Sequence, residues 1–363
     1  MSEKSQYQYK IDSKVLSTAI SKCLSIISLG ERSDTNVVTL IFSKKGMSIE
    51  AMNSIAEYKT ELPVEVVYGS KKDLEVSIIP EVLLSYTKAY KELSLSPKED
   101  RMIVSSKGFN ASIFYVGNPE LVERREFKDS ENISSVAKTA NEVLSLVSGM
   151  RNRTDSQALG VIIGWGSNKM ELSIGDTHHA IVVDADVKVK SSNQLTTTLP
   201  NIQNIMSVGS TFAATDDRFY AYSNTDYLAI SNKTENMFLA DMARSVIESG
   251  KRSTKMVVNT DKLKSVIDTL TGAISETEVL TFDMSEKSCL VSSNTSTGNA
   301  KAAIKPISFK GKPTKVKVAI HHLKDCISSM KEKNISVSVM QNMLLMESSS
   351  KDIKITAALT AIG

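Results

Sequence analysis

The sequence predicts an α+β protein made of three repeats of one design, each with two helices on antiparallel sheets. Two observations carry that prediction. A helix followed by three short strands occurs three times, with helix starts near Pro80, Pro200 and His321. The period is about 120 residues, far longer than a solenoid repeat and the size of a whole domain. A second, amphipathic helix precedes each of these stretches, at residues 12–24, 139–150 and 260–274. We place the domains at residues 1–125, 126–245 and 246–363.

The middle copy is the clearest. Leu199-Pro200 opens a helix, where proline is tolerated because a first-turn N–H has no partner to lose. Ile202, Ile205 and Met206 form its apolar stripe, and Gly209 stops it. TFAAT, RFYAYS and YLAIS follow as strands, divided by the turn residues Asp216-Asp217 and Asn224-Thr225-Asp226. The first copy reads IPEVLLSYTKAY, ELSLS, RMIVSS and FNASIFYV; the third reads AIHHLKDCISSM, ISVSV, MLLMES and IKITAAL. Of the preceding helices, the first buries Leu16, Ala19, Ile20 and Cys23. The second opens on a Thr139…Glu142 capping box, and the third carries Leu263, Val266, Ile267 and Leu270. Strand runs such as VVTLIFS, LGVIIGW and EVLTFDM lie between the two helices of each copy. Residues 120–135 and 232–254 read as linkers.

At 363 residues the chain is too long for one ordinary core, and 41% hydrophobic with 23% charged residues is a globular composition. Cys23, Cys289 and Cys326 are odd in number and far apart, which fits reduced core thiols in a cytoplasmic protein. Residues 1–10 have no apolar run of signal type, and no 18-residue apolar run occurs. The net charge of +3 does not by itself imply nucleic acid, so placement decides. Lys14, Lys22, Lys88, Lys262 and Lys324 fall on the polar helix faces, while Glu81, Glu142 and Asp261 sit in first turns, where the helix dipole favours acids. An ordinary solvated face is the plain alternative.

No catalytic constellation emerges. The histidines lie in two adjacent pairs, His178-His179 and His321-His322. Neighbours on a strand point to opposite faces and neighbours on a helix diverge by about 100°, so neither pair is itself a metal site. GWGSNKM lacks the Gly-Lys-Ser/Thr ending of a phosphate loop, and Gly-x-Ser-x-Gly is absent. Asp216-Asp217-Arg218 is a turn. No cofactor is expected.

The stretch LGVIIGWGSNKMELSIGDTHHAIVV, together with HHLKDCI and the triple repeat, resembles the three-domain bacterial-type DNA polymerase sliding clamp, the DNA polymerase III β subunit, in a form such as a bacteriophage would carry. Asp176 and His178 match the family's motif. Thr177, His179 and Ala180 stand where glycine, arginine and leucine are usual, His322 replaces a tyrosine, and ALTAIG lacks the usual methionine-proline-methionine ending. The resemblance implies the DNA clamp fold: a ring of two chains joined head to tail that encircles double-stranded DNA, tethers DNA polymerase and is opened by an ATP-dependent clamp loader. It catalyses nothing. It further implies DNA contacts from the helix lysines, from Arg32 and from the loop Arg151-Asn152-Arg153, although those arginines would also complement a helix C-terminus. A partner-peptide pocket would hold Thr177, His178, His179 and Ala180 facing Val246, Ile247, His322 and Leu359. Ala180, Val246, Ile247 and Leu359 would form its apolar floor and the histidines its rim. The dimer interface would pair the strand Phe109 to Phe114 with an edge near Ile274 and Cys289.

Three other readings stay open: a monomeric processivity factor held to DNA by charge alone, an α+β hydrolase or metal enzyme, and a non-replicative assembly protein. Native mass and dependence on DNA topology separate them.

Overall fold

The computed structural model describes residues 7–27, 37–69, 72–117, 121–147, 160–175, 178–232, 244–245, 247–248, 250–271, 279–295 and 298–362. In the first repeat, β1 (Gln8–Asp12) runs into α1 (Ser13–Ile27), where Asp12 Oδ1 accepts the N–H groups of Lys14 at 2.8 Å and Val15 at 3.2 Å. Strands β2 (Val38–Phe42), β3 (Met47–Met52), β4 (Ala56–Leu62), β5 (Glu65–Tyr68) and β6 (Leu74–Ile78) precede α2 (Pro80–Thr87). Strands β7 (Glu92–Pro97), β8 (Arg101–Ser106) and β9 (Phe109–Phe114) close the repeat. The second repeat holds α3 (Ser134–Leu146), β10 (Gly160–Gly166), β11 (Lys169–Gly175), β12 (His179–Asp186), β13 (Asn193–Thr198), α4 (Leu199–Val208), β14 (Thr211–Ala214), β15 (Arg218–Tyr222) and β16 (Asp226–Ser231). The third holds β17 (Arg252–Asn259), α5 (Thr260–Thr271), β18 (Val279–Met284), β19 (Cys289–Thr295), β20 (Gly298–Ile304), β21 (Ser308–Gly311), β22 (Thr314–Ala319), α6 (Ile320–Ser328), β23 (Asn334–Met340), β24 (Met343–Ser349) and β25 (Ile353–Thr360).

The chain divides into two compact units that cut across the repeats: residues 1–132 with 203–231, and 133–202 with 232–363. In the first unit, one sheet has the order β5-β1-β7-β8-β9 and another β14-β15-β16-β4-β3-β2-β6. The second unit holds a nine-stranded sheet, β13-β10-β11-β12-β25-β24-β23-β17-β21, and a four-stranded one, β20-β19-β18-β22. Two sheets are thus completed by strands of neighbouring repeats. β16 pairs antiparallel with β4, from Asp226↔Thr60 to Ile230↔Ala56. β25 pairs with β12, from His179↔Leu359 to Ala185↔Ile353.

Proline explains a second departure from simple order. The run AEYKTELPVEVV breaks at Pro63, which cannot donate to a ladder. β4 stays in the seven-stranded sheet while β5 crosses to pair with β1. Pro306 breaks AAIKPISF in the same way, and β21 pairs with β17. Elsewhere, a Cβ at Gly209 would lie 2.6 Å from the carbonyl oxygen of Tyr222, so α4 ends where the chain passes closely over β15.

Several boundaries differ from the sequence expectation. α3 starts at Ser134, ahead of the expected capping box, because Val136 and Ala137 extend its buried stripe; Thr139 is mid-helix. The expected linker 232–254 already contains the start of β17. The linker 120–135 is anchored. Val122 is buried among Ala213, Tyr220, Tyr227 and Ala229, and its N–H donates to Glu50 Oε2 at 2.7 Å. Glu50, 1% exposed on β3, also pairs with Lys59 Nζ at 2.5 Å. Phe127 packs on Tyr220 and Tyr222, with ring centroids 4.7 and 5.2 Å away, and the Arg125 guanidinium lies 5.5 Å above Phe127.

Glu50→Ala takes the partner from both Lys59 and the Val122 N–H, so it is expected to lower unfolding stability by about 2–4 kcal/mol. Urea denaturation measures this, and an unchanged midpoint would refute the anchoring role.

Candidate functional site

Three surfaces collect the residues singled out in the sequence. The first is the polar side of the helices. α1 packs Leu16, Ile20 and Cys23 inward against β3, β4 and α2, which leaves Lys14 exposed and Lys22 half-buried. Lys88 caps α2 and is exposed, Lys262 is exposed in the first turn of α5, and Lys324 on α6 is half-buried. Arg32, Arg151, Asn152 and Arg153 lie outside the described residues.

Lys22 has a partner that the sequence did not reveal. Its Nζ lies 3.7 Å from Asp226 Oδ1, at the start of β16. Asp226 also accepts hydrogen bonds from Tyr58 Oη at 2.8 Å, Thr225 Oγ1 at 2.8 Å and Ser223 Oγ at 3.0 Å. Burial pushes its carboxyl up, but the bonds from Tyr58, Thr225 and Ser223 and the charge of Lys22 outweigh it and hold the group below the usual carboxylate range. Burial and the Asp226 bond push the Tyr58 hydroxyl up. Lys14, Thr18 and Lys22 line a groove of about 360 Å³ beside these groups.

The second surface is at one end of the nine-stranded sheet. His178 is exposed, and its carbonyl accepts the Thr360 N–H at 2.9 Å. His179 is 3% exposed, with Nε2 3.8 Å from Asp325 Oδ2 on α6. His322 brings the two histidine pairs together, its ring centroid 5.3 Å from His178, 4.4 Å from His179 and 3.9 Å from His321. The resemblance has His322 facing His178 and His179, and the contact arises where β12 meets α6. Among the described residues, no group of three His, Cys, Asp or Glu is placed to hold a metal ion.

Strand alternation divides the expected pocket residues between two faces. His179 pairs with Leu359, and both are buried on one face. The other face carries Ala180, its partner Ala358 and, beyond it, Leu345. Met340, Leu345 and Ala358 form a buried cluster against which Ile247 and Met343 pack. Neither Ala358 nor Leu345 was singled out in the sequence, because neighbours one residue apart on a strand lie on opposite faces and only the pairing with Ala180 shows which face they share. Thr177 and Val246 lie outside the described residues.

The third surface comprises sheet edges. β9 is an outer strand, and its last residue, Phe114, is 62% exposed. Phe109 stacks on Tyr90 with ring centroids 4.7 Å apart and meets Tyr86 in a tilted contact at 5.1 Å. Cys289 is corrected: β19 is an inner strand and the thiol is fully buried, so the edge of that sheet is β20. Ile274 lies outside the described residues. No described helix is long and apolar enough to cross a membrane.

This architecture is the DNA clamp fold. No family model matches the chain, and no curated protein matches it. Solved structures do. The chain is similar to the DNA polymerase sliding clamp of Bacillus subtilis at 13% identity and a TM-score of 0.76, covering 99% of this chain and 100% of that one. It is similar to the DNA polymerase III beta subunit of Thermotoga maritima at 14% identity and 0.74, covering 98% and 99%. A Helicobacter pylori beta clamp bound to a DNA ligase peptide matches at 10% identity and 0.74, covering 98% and 100%. The chain therefore has, over its whole length, the fold of the bacterial β sliding clamps.

Because the native Asp226 pKa is lowered, its contribution to stability is present above the unfolded carboxylate pKa of about 3.9 and is lost as pH falls through the native value. Asp226→Asn should therefore be less stable than wild type at pH 7, with the gap closing in acid. Thermal unfolding at pH 7 and pH 2 measures this; a gap independent of pH would contradict it.

Proposed function

We propose that the chain is a DNA sliding clamp, a non-enzymatic processivity factor that works in the cytoplasm of a bacterium or an infected bacterium. The full-length correspondence of fold carries this reading. Three clamp domains, at residues 1–125, 126–245 and 246–363, form half of a ring. A second copy joined head to tail completes it around double-stranded DNA, with a clamp loader opening it by ATP hydrolysis. Lys14, Lys22, Lys88, Lys262 and Lys324, with Arg32 and Arg151-Asn152-Arg153, neutralise phosphates without reading bases.

Strand order supports the dimer. In both joined sheets, the last strand of one repeat pairs with the third strand after the first helix of another: β16 with β4, and β25 with β12. By that rule β9, the last strand of the first repeat, and β20, the third strand after the first helix of the third, are left without such a partner among the described residues, and both are outer strands. Pairing β9 of one copy with β20 of another would recreate the order of the nine-stranded sheet, with exposed Phe114 at the seam. Native mass spectrometry at micromolar concentration is expected to show a dimer, weakened at least tenfold by Phe114→Asp. Subunits separated and reassembled on nicked circular DNA should stay bound at high salt and leave on linearisation. A monomer indifferent to topology would favour the charge-only processivity factor.

The second working surface is a partner-peptide pocket on Ala180, Ile247 and the Met340–Leu345–Ala358 cluster, with His178 and His322 at its margin. The ligase peptide on the Helicobacter pylori clamp supports this reading. Short tails of DNA polymerase and loader would place an apolar anchor there. Ile247→Asp is expected to weaken binding of the cognate polymerase's C-terminal peptide at least tenfold by anisotropy, leaving the dimer intact. Equal affinity would remove the pocket but not the ring.

A further inference from the structure

The connector ahead of β17 meets the nine-stranded sheet at two points. Residues 244, 245, 247 and 248 are helical, and Arg244 and Ile247, three apart, share one helix face. Ile247 packs on Met340, Leu345 and Ala358, which belong to β23, β24 and β25 of the third repeat. Arg244 reaches strands of the second repeat instead. Its Nη1 pairs with Glu171 on β11, its Nη2 lies 3.5 Å from Asp184 Oδ1 on β12, and its Nε lies 2.8 Å from Glu248 Oε1.

Glu171 and Asp184 are direct cross-strand partners. Like charges so placed repel unless a cation lies between them, and Arg244 supplies it. Along β12, Asp184 and Ala180 are four residues apart and so face the same way. The ionic contact and the apolar pocket therefore occupy one sheet face, on opposite sides of the β12–β25 joint from which each is anchored.

We propose that Arg244 is a positioning residue for the partner pocket: its pairing with Glu171 and Asp184 holds the turn that sets Ile247 against the Met340–Leu345–Ala358 floor. This rests on the reading of that floor as the peptide site. An ionic anchor makes the pocket's readiness dependent on ionic strength, although the pocket itself is apolar.

The test is a titration of a fluorescein-labelled synthetic peptide, the C-terminal residues of the cognate polymerase, into the dimer at low and high salt. Arg244→Ala should weaken binding about three- to tenfold at low salt, the range open to a networked surface ion pair. Wild type and variant should converge near 1 M salt, where the Debye length is about 3 Å. Glu171→Gln with Asp184→Asn should produce the same loss without leaving opposed charges, and Arg244→Glu with Glu171→Arg should recover most of it. If Arg244→Ala binds as wild type does at low salt while Ile247→Asp does not bind, the positioning role is wrong and the pocket stands. If Ile247→Asp also binds as wild type does, the pocket reading falls and this inference with it.

Discussion

The joint between repeats is the constraint from which the architecture follows. Neither the seven-stranded nor the nine-stranded sheet is built from one repeat alone. Strand β4 finds its outer partner in β16, and β12 finds its own in β25, each across a wide gap in sequence. The backbone ladder at these joints meets the requirement that buried N–H and C=O groups be paired. In both units the chain that links one repeat to the next then lies across the joint it has made. Val122 and Phe127 bridge β3 to β15, and Arg244 and Ile247 bridge β11 and β12 to β23, β24 and β25. The means differ, a buried carboxylate with stacked aromatics in one case and a surface ion cluster with an apolar foot in the other.

Much of this was legible in the sequence because it depends on period. Helix starts near Pro80, Leu199 and Ile320 follow from apolar stripes and from proline, and the hairpins from short apolar runs between turn residues. What escaped the reading depends on partners rather than pattern. Asn193–Thr198 is too polar to announce itself as a strand, yet β10 pairs with it along its length. The crossings at Pro63 and Pro306 are visible as breaks, but the destination of the next strand is set by β1 and β17, more than 50 residues away.

The candidate site was legible in part for the same reason. Ile247 packs on an apolar cluster whose Ala358 is the cross-strand partner of Ala180, whereas Leu359, one residue on, lies on the opposite face. Lys22 looked like any solvated lysine until the fold brought Asp226 to it. Residue pattern alone shows two histidine pairs far apart in sequence; their meeting at β12 and α6 was legible only through the family resemblance. Ladder geometry sets joints without prescribing side chains, which is how a clamp architecture coexists with 13% identity to a solved clamp.

The discontinuous first unit also has a consequence for biosynthesis. Residues 1–132 form most of it, but its seven-stranded sheet is completed by β14, β15 and β16, which end at Ser231. As the chain leaves the ribosome, β4 therefore presents an open hydrogen-bonding edge, with Tyr58 and Ala56 on it, until roughly another 170 residues have been made, about 10–30 s at ordinary rates of elongation. During that interval the nascent edge is open to mispairing with another chain on the same message. The alternation of Glu57, Lys59 and Glu61 with Ala56, Tyr58, Thr60 and Leu62 along β4 puts charge at every second position of that waiting edge.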